Sequence, residues 1–518
     1  MAEFFKSMMG AGDNQISFWQ GRWSPTCQAL LFSFLALVYL AGINPHMLPE
    51  STDDIVYFEM AESWSLGLGH RFQNEVIGDW PPVYPLYLAL PMLLGLKSLL
   101  LAKLMTVASA VGGLWCISRL CLAERREPVW LLVLLTGLLT MSCLFAVRPA
   151  GDWLFVILSF LFLLVLRKLD GPQRWRWALL AGLLLGAASL TRFVGVLLGA
   201  AIISQGIARL VAPSGEGTRR EFKDRLFSLR PELLATLIGG GLWLSWSWYL
   251  ARVDRLGQLA RGNYDHQGLS LWAHLEPHRL FFDIGSALFQ SGNLLEKLGL
   301  AGTPVEYWVS AAIALLLVTG MVVTLRRGLW QPADAYGLAT VLLILPYQFK
   351  VTRYWFVVAP ILLSWIFRGV SALAAPLRKR WPAFPWLLLR RGMIASWIGV
   401  LLVAWTLYCW KGNGADHRGL NWFAAGDADQ FYLGRNADLR RACIRIDQLW
   451  PDARIGVEGW FTNYTHWFSG GHRSFRHDYY PNAFDTFICI TQDPLPARVA
   501  QDFSLVFTEG AATVYRQK

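Results

Sequence analysis

The chain has 518 residues, of which 54% are hydrophobic and 16% charged, against about 25% charged in soluble proteins, and this deficit excludes an ordinary soluble domain. Its 26 tryptophans and net charge of +11 fit a bilayer instead, because indoles favour the water–lipid interface and Lys and Arg gather in cytoplasmic loops. The basic balance is spread over those loops, so it does not point to nucleic acid.

A helix needs about 20 mostly apolar residues to cross a hydrocarbon core of about 30 Å. Apolar runs fall at 25–43, 97–118, 128–147, 151–166, 177–190, 193–208, 231–250, 305–325, 335–348, 354–373 and 393–410. They predict an all-α polytopic membrane bundle of about 11 transmembrane helices. No small-residue cleavage site follows the first run, so it is expected to stay as an anchor. With the N-terminus inside, the inner loops collect Arg119, Arg125 and Arg126, then Arg167, Lys168, Arg174 and Arg176. Further inner loops carry the basic residues between Arg209 and Arg230, Arg326 with Arg327, and the run from Arg368 to Arg391. The opposite turns at 148–152 and 191–192 hold one arginine each. This positive-inside asymmetry predicts a cytoplasmic N-terminus and an outward C-terminus.

Residues 1–410 then form the membrane module, with large outer loops at 44–96 and 251–304. All nine histidines fall in those loops and in the tail. The tail, 411–518, is expected to be a small soluble α/β domain on the outer side of the membrane. A helix is expected over 437–450, with Leu439, Cys443, Ile446 and Leu449 on one face. Strands are expected at 454–458, 486–491, 504–507 and 512–516. The seven cysteines show no paired spacing of a zinc or redox motif. Five sit in or beside apolar runs as small buried residues; Cys443 and Cys489 are left either to pair or to stay free.

The first outer loop opens Ser51-Thr52-Asp53-Asp54, followed by Tyr57. One reading is a capped helix with acids in its first turn. The other is a base and its orienting partner, since a partly desolvated carboxylate at the membrane surface can take a proton from an acceptor hydroxyl. The loop continues to Asp79-Trp80-Pro81-Pro82-Val83-Tyr84-Pro85, whose prolines predict a rigid re-entrant or surface-lying segment. Asp152, in the tiny turn after Arg148, is either a cap or a partner of Asp53 in a shared site. Lys350-Val-Thr-Arg353-Tyr354 puts cations on the face where they are rare. They either snorkel or clamp a phosphate, with Arg353 bidentate and Lys350 a point charge. Arg192, in the Thr191-Arg192-Phe193 turn, is open to the same use. His274 and His278 lie four apart with Glu276 between them, a spacing more often found in loops than in metal sites. No metal ligand set is assigned. No Gly-rich phosphate loop, HExxH or nucleophile elbow is present, so neither a nucleotide donor nor a cofactor is expected.

In this order, one span, Asp53-Asp54-x-x-Tyr57, Pro81-Pro82-x-Tyr84-Pro85, the Asp152, Thr191-Arg192 and Lys350-x-x-Arg353-Tyr354 turns and a soluble tail, the chain resembles the GT-C glycosyltransferases. The likeness is to bacterial members similar to protein O-mannosyltransferases and to the aminoarabinose transferase that modifies lipid A. The resemblance implies transfer of one sugar from a polyprenyl-phosphate donor at the outer leaflet, usually with inversion, to a lipid, glycan or protein acceptor. It implies Asp53 as the base, with Asp54 supporting it where the family more often has Asp-Glu, and Asp152 as the second acidic position. It places Lys350 and Arg353 on the carrier's phosphate, and Tyr57, Tyr84, Arg192 and Tyr354 among the substrate-binding residues. Some relatives carry a Lys before the Pro-Pro turn; here Asp79-Trp80 stands in its place.

A transporter or flippase of a lipid-linked saccharide is the alternative. It would place ionisable groups at the midplane of several spans and often show two similar halves, neither of which is evident here. A scaffolding subunit would leave the clustered acids and cations unexplained.

Overall fold

The computed structural model describes residues 24–44, 49, 51–73, 76, 78, 80–124, 126, 128–211, 227–253, 277–289, 299, 303–344, 353–411, 432–457, 461–469, 474–476, 484–490 and 495–518. Helix α1 (Pro25–Leu40) starts on Ser24, whose Oγ accepts the Cys27 N–H at 3.1 Å. Pro25 sits in its first turn, where its missing N–H costs nothing. Helices α2 (Thr52–Ser65) and α3 (Val83–Met92) precede the long α4 (Leu99–Ala123), capped by Ser98. Next come α5 (Val129–Leu138), α6 (Thr140–Val147), α7 (Asp152–Leu166) and α8 (Arg174–Ser189). A 3₁₀ turn (Phe193–Leu198) runs into α9 (Gly199–Val211), and α10 (Arg230–Val253) follows. The remaining apolar helices are α11 (Pro277–Phe289), α12 (Pro304–Arg326), α13 (Pro332–Ile344), α14 (Arg353–Arg380) and α15 (Trp386–Lys411).

Each expected apolar run falls on helix among the described residues, the run at 335–348 only as far as Ile344, but length separates them. Among the described residues six helices are long and apolar enough to cross a membrane, at Leu99–Ala123, Phe193–Val211, Arg230–Val253, Pro304–Arg326, Tyr354–Arg380 and Trp386–Trp410. A seventh results if α5 and α6 count as one bent span. Helices α1, α7 and α13 have 16, 15 and 13 residues; at 1.5 Å per residue these fall short of about 30 Å.

Two expectations are corrected. The run at 128–147 is not one helix: it bends by 63° at Leu139, whose backbone is extended at φ −53°, ψ 136°. The break frees the Gly137 carbonyl, which accepts the Tyr39 hydroxyl at 2.9 Å and the Cys143 thiol at 3.4 Å, as a backbone group away from water must be satisfied. The stretch 251–304 is not all loop either. Helix α11 buries Leu280, Ile284 and Leu288 in the main apolar core, and the Leu288 carbonyl accepts the Trp397 indole at 2.9 Å.

Helices α12 and α14 cross with their backbones in contact. A Cβ at Gly320 would lie 1.8 Å from the Trp365 carbonyl oxygen, and one at Gly369 would lie 2.1 Å from that of Leu316, the small-residue solution to close helix packing. One end of the bundle is closed by buried charge. Arg126 bonds Glu124 at 2.6 Å and Asp334 at 2.9 Å, and Asp334 also accepts the Trp365 indole at 2.8 Å.

The tail folds as helix α16 (Gly434–Leu449), β1 (Ile455–Val457), α17 (Thr462–Phe468), β2 (Ser474–Arg476), β3 (Thr486–Cys489), α18 (Ala497–Asp502), β4 (Phe503–Glu509) and β5 (Ala512–Gln517). The sheet order is β2-β1-β3-β5-β4. Strand β1 is parallel to β2 and β3, while β5 is antiparallel to β3 and β4. Strand β2 was not expected from the sequence. Cys443 and Cys489 are buried in two different apolar clusters and are not joined to each other by a disulfide.

Candidate active site

The site is built on the first turn of α2. Ser51 Oγ accepts the Asp54 N–H at 3.3 Å, and the Asp54 carboxylate in return accepts the Ser51 N–H at 3.3 Å and the Ser51 hydroxyl. This reciprocal box satisfies donors that a helix start leaves open. It also turns Asp54 inward, where it is fully buried. The two acids therefore separate: Asp54 caps the helix, and Asp53 stays half-buried beside it. Four residues on, Tyr57 is buried and meets the Tyr84 ring edge-on at 4.9 Å.

Tyr84 sits in the first turn of α3, behind Pro81-Pro82. Its hydroxyl shares a 2.9 Å hydrogen bond with Thr106 on α4. Burial, with the Asp54 carboxylate adding to it, holds the Tyr84 phenol well above its usual range. The Pro-Pro turn is held at both sides. His70 bonds the Trp80 carbonyl at 2.8 Å through Nε2 and accepts the Trp64 indole at Nδ1 at 3.3 Å. Beyond the prolines, the Val83 N–H donates to the Leu190 carbonyl at 3.0 Å. That contact brings the Thr191-Arg192 turn alongside α3. Gly151 lets the Asp152 turn close on the same place, for a Cβ there would lie 3.2 Å from Tyr84 Cβ and 3.4 Å from Thr191 Cγ2.

Asp152 begins α7 and is 1% exposed. It pairs with Arg192, whose side chain is 12% exposed. Burial opposes the Arg192 charge, but Asp152 above all, then Tyr57, Asp53 and Tyr354, override it and hold the guanidinium firmly protonated. The Arg192 Nε is buried and has no hydrogen-bond partner among the described residues. Asp53, Tyr57, Asp152, Arg192 and Tyr354 thus share one electrostatic neighbourhood, with Tyr84 packed against Tyr57. Chemically, this is a half-exposed carboxylate beside a fixed cation with hydrogen-bonding capacity to spare.

Lys350 lies outside the described residues, and Arg353 is described only as the start of α14. Asp79, His266 and His274 also lie outside them, as does the side chain of His278. Among the described residues no three His, Cys, Asp or Glu side chains gather as a metal site. Several groups at this end were not singled out in the sequence. Glu59 on α2 bonds His466 on α17 at 2.9 Å, Glu62 pairs with Lys97, and Lys103 is fully buried on α4. Lys103 alone carried a signal, a charge inside an apolar run.

An apolar helical bundle with acids and a buried arginine gathered at one end defines a membrane protein with a polar site at the end of its helices. The fold is like that of solved GT-C glycosyltransferases. ArnT from Cupriavidus metallidurans matches with a TM-score of 0.53 in its apo state and 0.54 bound to undecaprenyl phosphate. Both matches show 16% identity and cover 95% of this chain and 98% of that one. The oligosaccharyltransferase AglB from Archaeoglobus fulgidus, in complex with an inhibitory peptide and a dolichol-phosphate, matches with a TM-score of 0.52 and 11% identity over 90% of this chain and 70% of that one. No protein-family model matches the sequence, and no curated protein matches it significantly.

Proposed function

We propose that this protein transfers a single sugar from a polyprenyl-phosphate-linked donor to a lipid, glycan or protein acceptor at the outer face of a bacterial cytoplasmic membrane. One observation carries the reading. Four residues from three separate stretches, Asp53 and Tyr57, Asp152, and Tyr354, act on the Arg192 guanidinium at one end of an apolar bundle. In this reading the shorter helices span as well, giving about 11 crossings. The N-terminus is then cytoplasmic, and the site and tail are periplasmic.

The residues divide the work. Asp53 takes the proton from the acceptor hydroxyl as its oxygen bonds to the anomeric carbon from the face opposite the phosphate. The bond from that carbon to the phosphate oxygen breaks, inverting the centre and releasing polyprenyl phosphate with one more negative charge. Arg192, held charged by Asp152, stabilises that charge together with Lys350 and Arg353. Tyr57, Tyr84 and Tyr354 shape the walls, and Asp54 keeps the Asp53 turn in place. Neighbours of the same fold bound to undecaprenyl phosphate and to a dolichol-phosphate support a lipid-phosphate donor here.

The test is a transfer assay in nanodiscs with a panel of radiolabelled polyprenyl-phosphate monosaccharides and a membrane extract as acceptor. The expected result is label moving to the extract as polyprenyl phosphate accumulates. No transfer from any donor, together with flipping of a lipid-linked sugar in sealed vesicles, would replace this reading with a transporter.

A further inference from the structure

Helix α2 is clasped from two sides. On one side Tyr57, Phe58 and Ala61 pack with Tyr84, Leu88 and Ala102 of the bundle. On the other, Ile55, Val56 and Met60 are fully buried in one core with Leu439, Cys443 and Ile446 of α16 and with Ile488 of β3. The bundle therefore accounts for only part of the apolar surface of this 14-residue helix. A helix this short gains its stability from packing rather than from propensity. Polar ties follow the same seam. The Tyr432 hydroxyl donates to the Pro49 carbonyl at 3.0 Å, just before the Ser51 cap, and the Ser474 N–H donates to Gln73 Oε1 at 3.3 Å. Between them His466 bonds Glu59 at 2.9 Å, with side chains 9% and 18% exposed. Phe72 stands edge-on to His466 at 5.7 Å, and Phe58 to Trp467 at 6.2 Å.

We infer that the C-terminal unit is a positioning element of the active site, holding α2, and with it the Asp53 carboxylate, against Arg192, and that Glu59 and His466 are the positioning pair of this hold. Glu59 is six residues beyond Asp53, about 9 Å along the helix axis. A tilt permitted at Glu59 is therefore felt at the Asp53 turn. The pair is remote from Arg192 and acts through helix placement, not through contact with a substrate. The effect on turnover rests on the reading of Asp53 as base; the effect on the helix does not.

The experiment uses the full chain in nanodiscs with His466→Ala, Glu59→Ala, the double variant and Glu59→Gln. Hydrogen exchange of residues 53–65 reports the hold directly, and kcat with donor KM reports its consequence. Each single Ala variant is expected to speed exchange in α2 about tenfold with α4 unchanged, the size of a lost charge-assisted hydrogen bond. The same variants should lower kcat about tenfold with donor KM within about twofold, and the double variant should be no worse than the poorer single, as for a coupled pair. Glu59→Gln keeps an acceptor oxygen for His466 and should stay within about threefold of the parent. Unchanged exchange in both Ala variants would overturn the inference. So would faster exchange with kcat intact, or a loss in Glu59→Gln as deep as in Glu59→Ala, which would make Glu59 a chemical participant. If the parent transfers no sugar from any donor, the proposed function fails while the exchange measurement still decides whether the tail holds α2.

Discussion

Asp152→Asn removes one charge of a pair whose side chains are 1% and 12% exposed. Breaking a buried pair from one side costs about 3–5 kcal/mol, because the remaining charge stays desolvated. Arg192 keeps some exposure and lies within reach of Asp53, so the lower end, about 3 kcal/mol, is expected. Arg192→Gln leaves Asp152 buried without its cation and should cost a similar amount. The double variant, Asp152→Asn with Arg192→Gln, buries two neutral amides that can bond each other and should return to within about 1 kcal/mol of the parent. Denaturant unfolding in detergent, followed by tryptophan fluorescence, measures these differences, while the transfer assay measures turnover. The two readouts should diverge: stability returns in the double variant, but kcat stays at least about 100-fold down because the Arg192 cation no longer faces the leaving phosphate. A double variant that regains both stability and turnover would show the pair to be structural and refute the role given to Arg192.

At the opposite end, Arg126→Ala would strand the buried Glu124 and Asp334 carboxylates. It should cost about 3–5 kcal/mol while leaving kcat and KM of the folded fraction within about twofold, since site effects require proximity. Gly320→Ala would set a methyl 1.8 Å from a carbonyl oxygen and should abolish accumulation of folded protein, seen by size-exclusion chromatography, whereas Gly241→Ala meets nothing within 4 Å and should be tolerated. Lys97→Ala breaks a pair whose side chains are 54% and 32% exposed, so unfolding should change by less than about 1 kcal/mol.

Much of the site was legible because charge and period carry it. The positive-inside bias put the Asp53, Asp152, Arg192 and Tyr354 turns on one face, and the structure brings these four residues together. The two readings of Asp53-Asp54 stayed open because a capping acid and a catalytic acid look alike in sequence; the Ser51 hydrogen bonds make Asp54 the partner of Ser51 in the capping box. The bend at Leu139 left no mark, since neither proline nor a charge interrupts the run from Val129 to Val147. Helix α11 was hidden because Arg279 and Asp283 break its apolar run, although Leu280, Ile284 and Leu288 keep helical spacing. The Glu59–His466 pair joins the first outer loop to the tail, and no local pattern announces a contact of that range. Strand β2, at three residues, is too short for an alternating pattern to register.

The central claim is that Asp53 is the base of a lipid-linked sugar transfer, and comparison of Asp53→Asn with the parent in the labelled transfer assay tests it most directly. The account predicts that the variant folds and unfolds like the parent, because Asp54 still caps α2, but transfers no label and releases no polyprenyl phosphate. Transfer at the parent's rate by a correctly folded Asp53→Asn protein would contradict it.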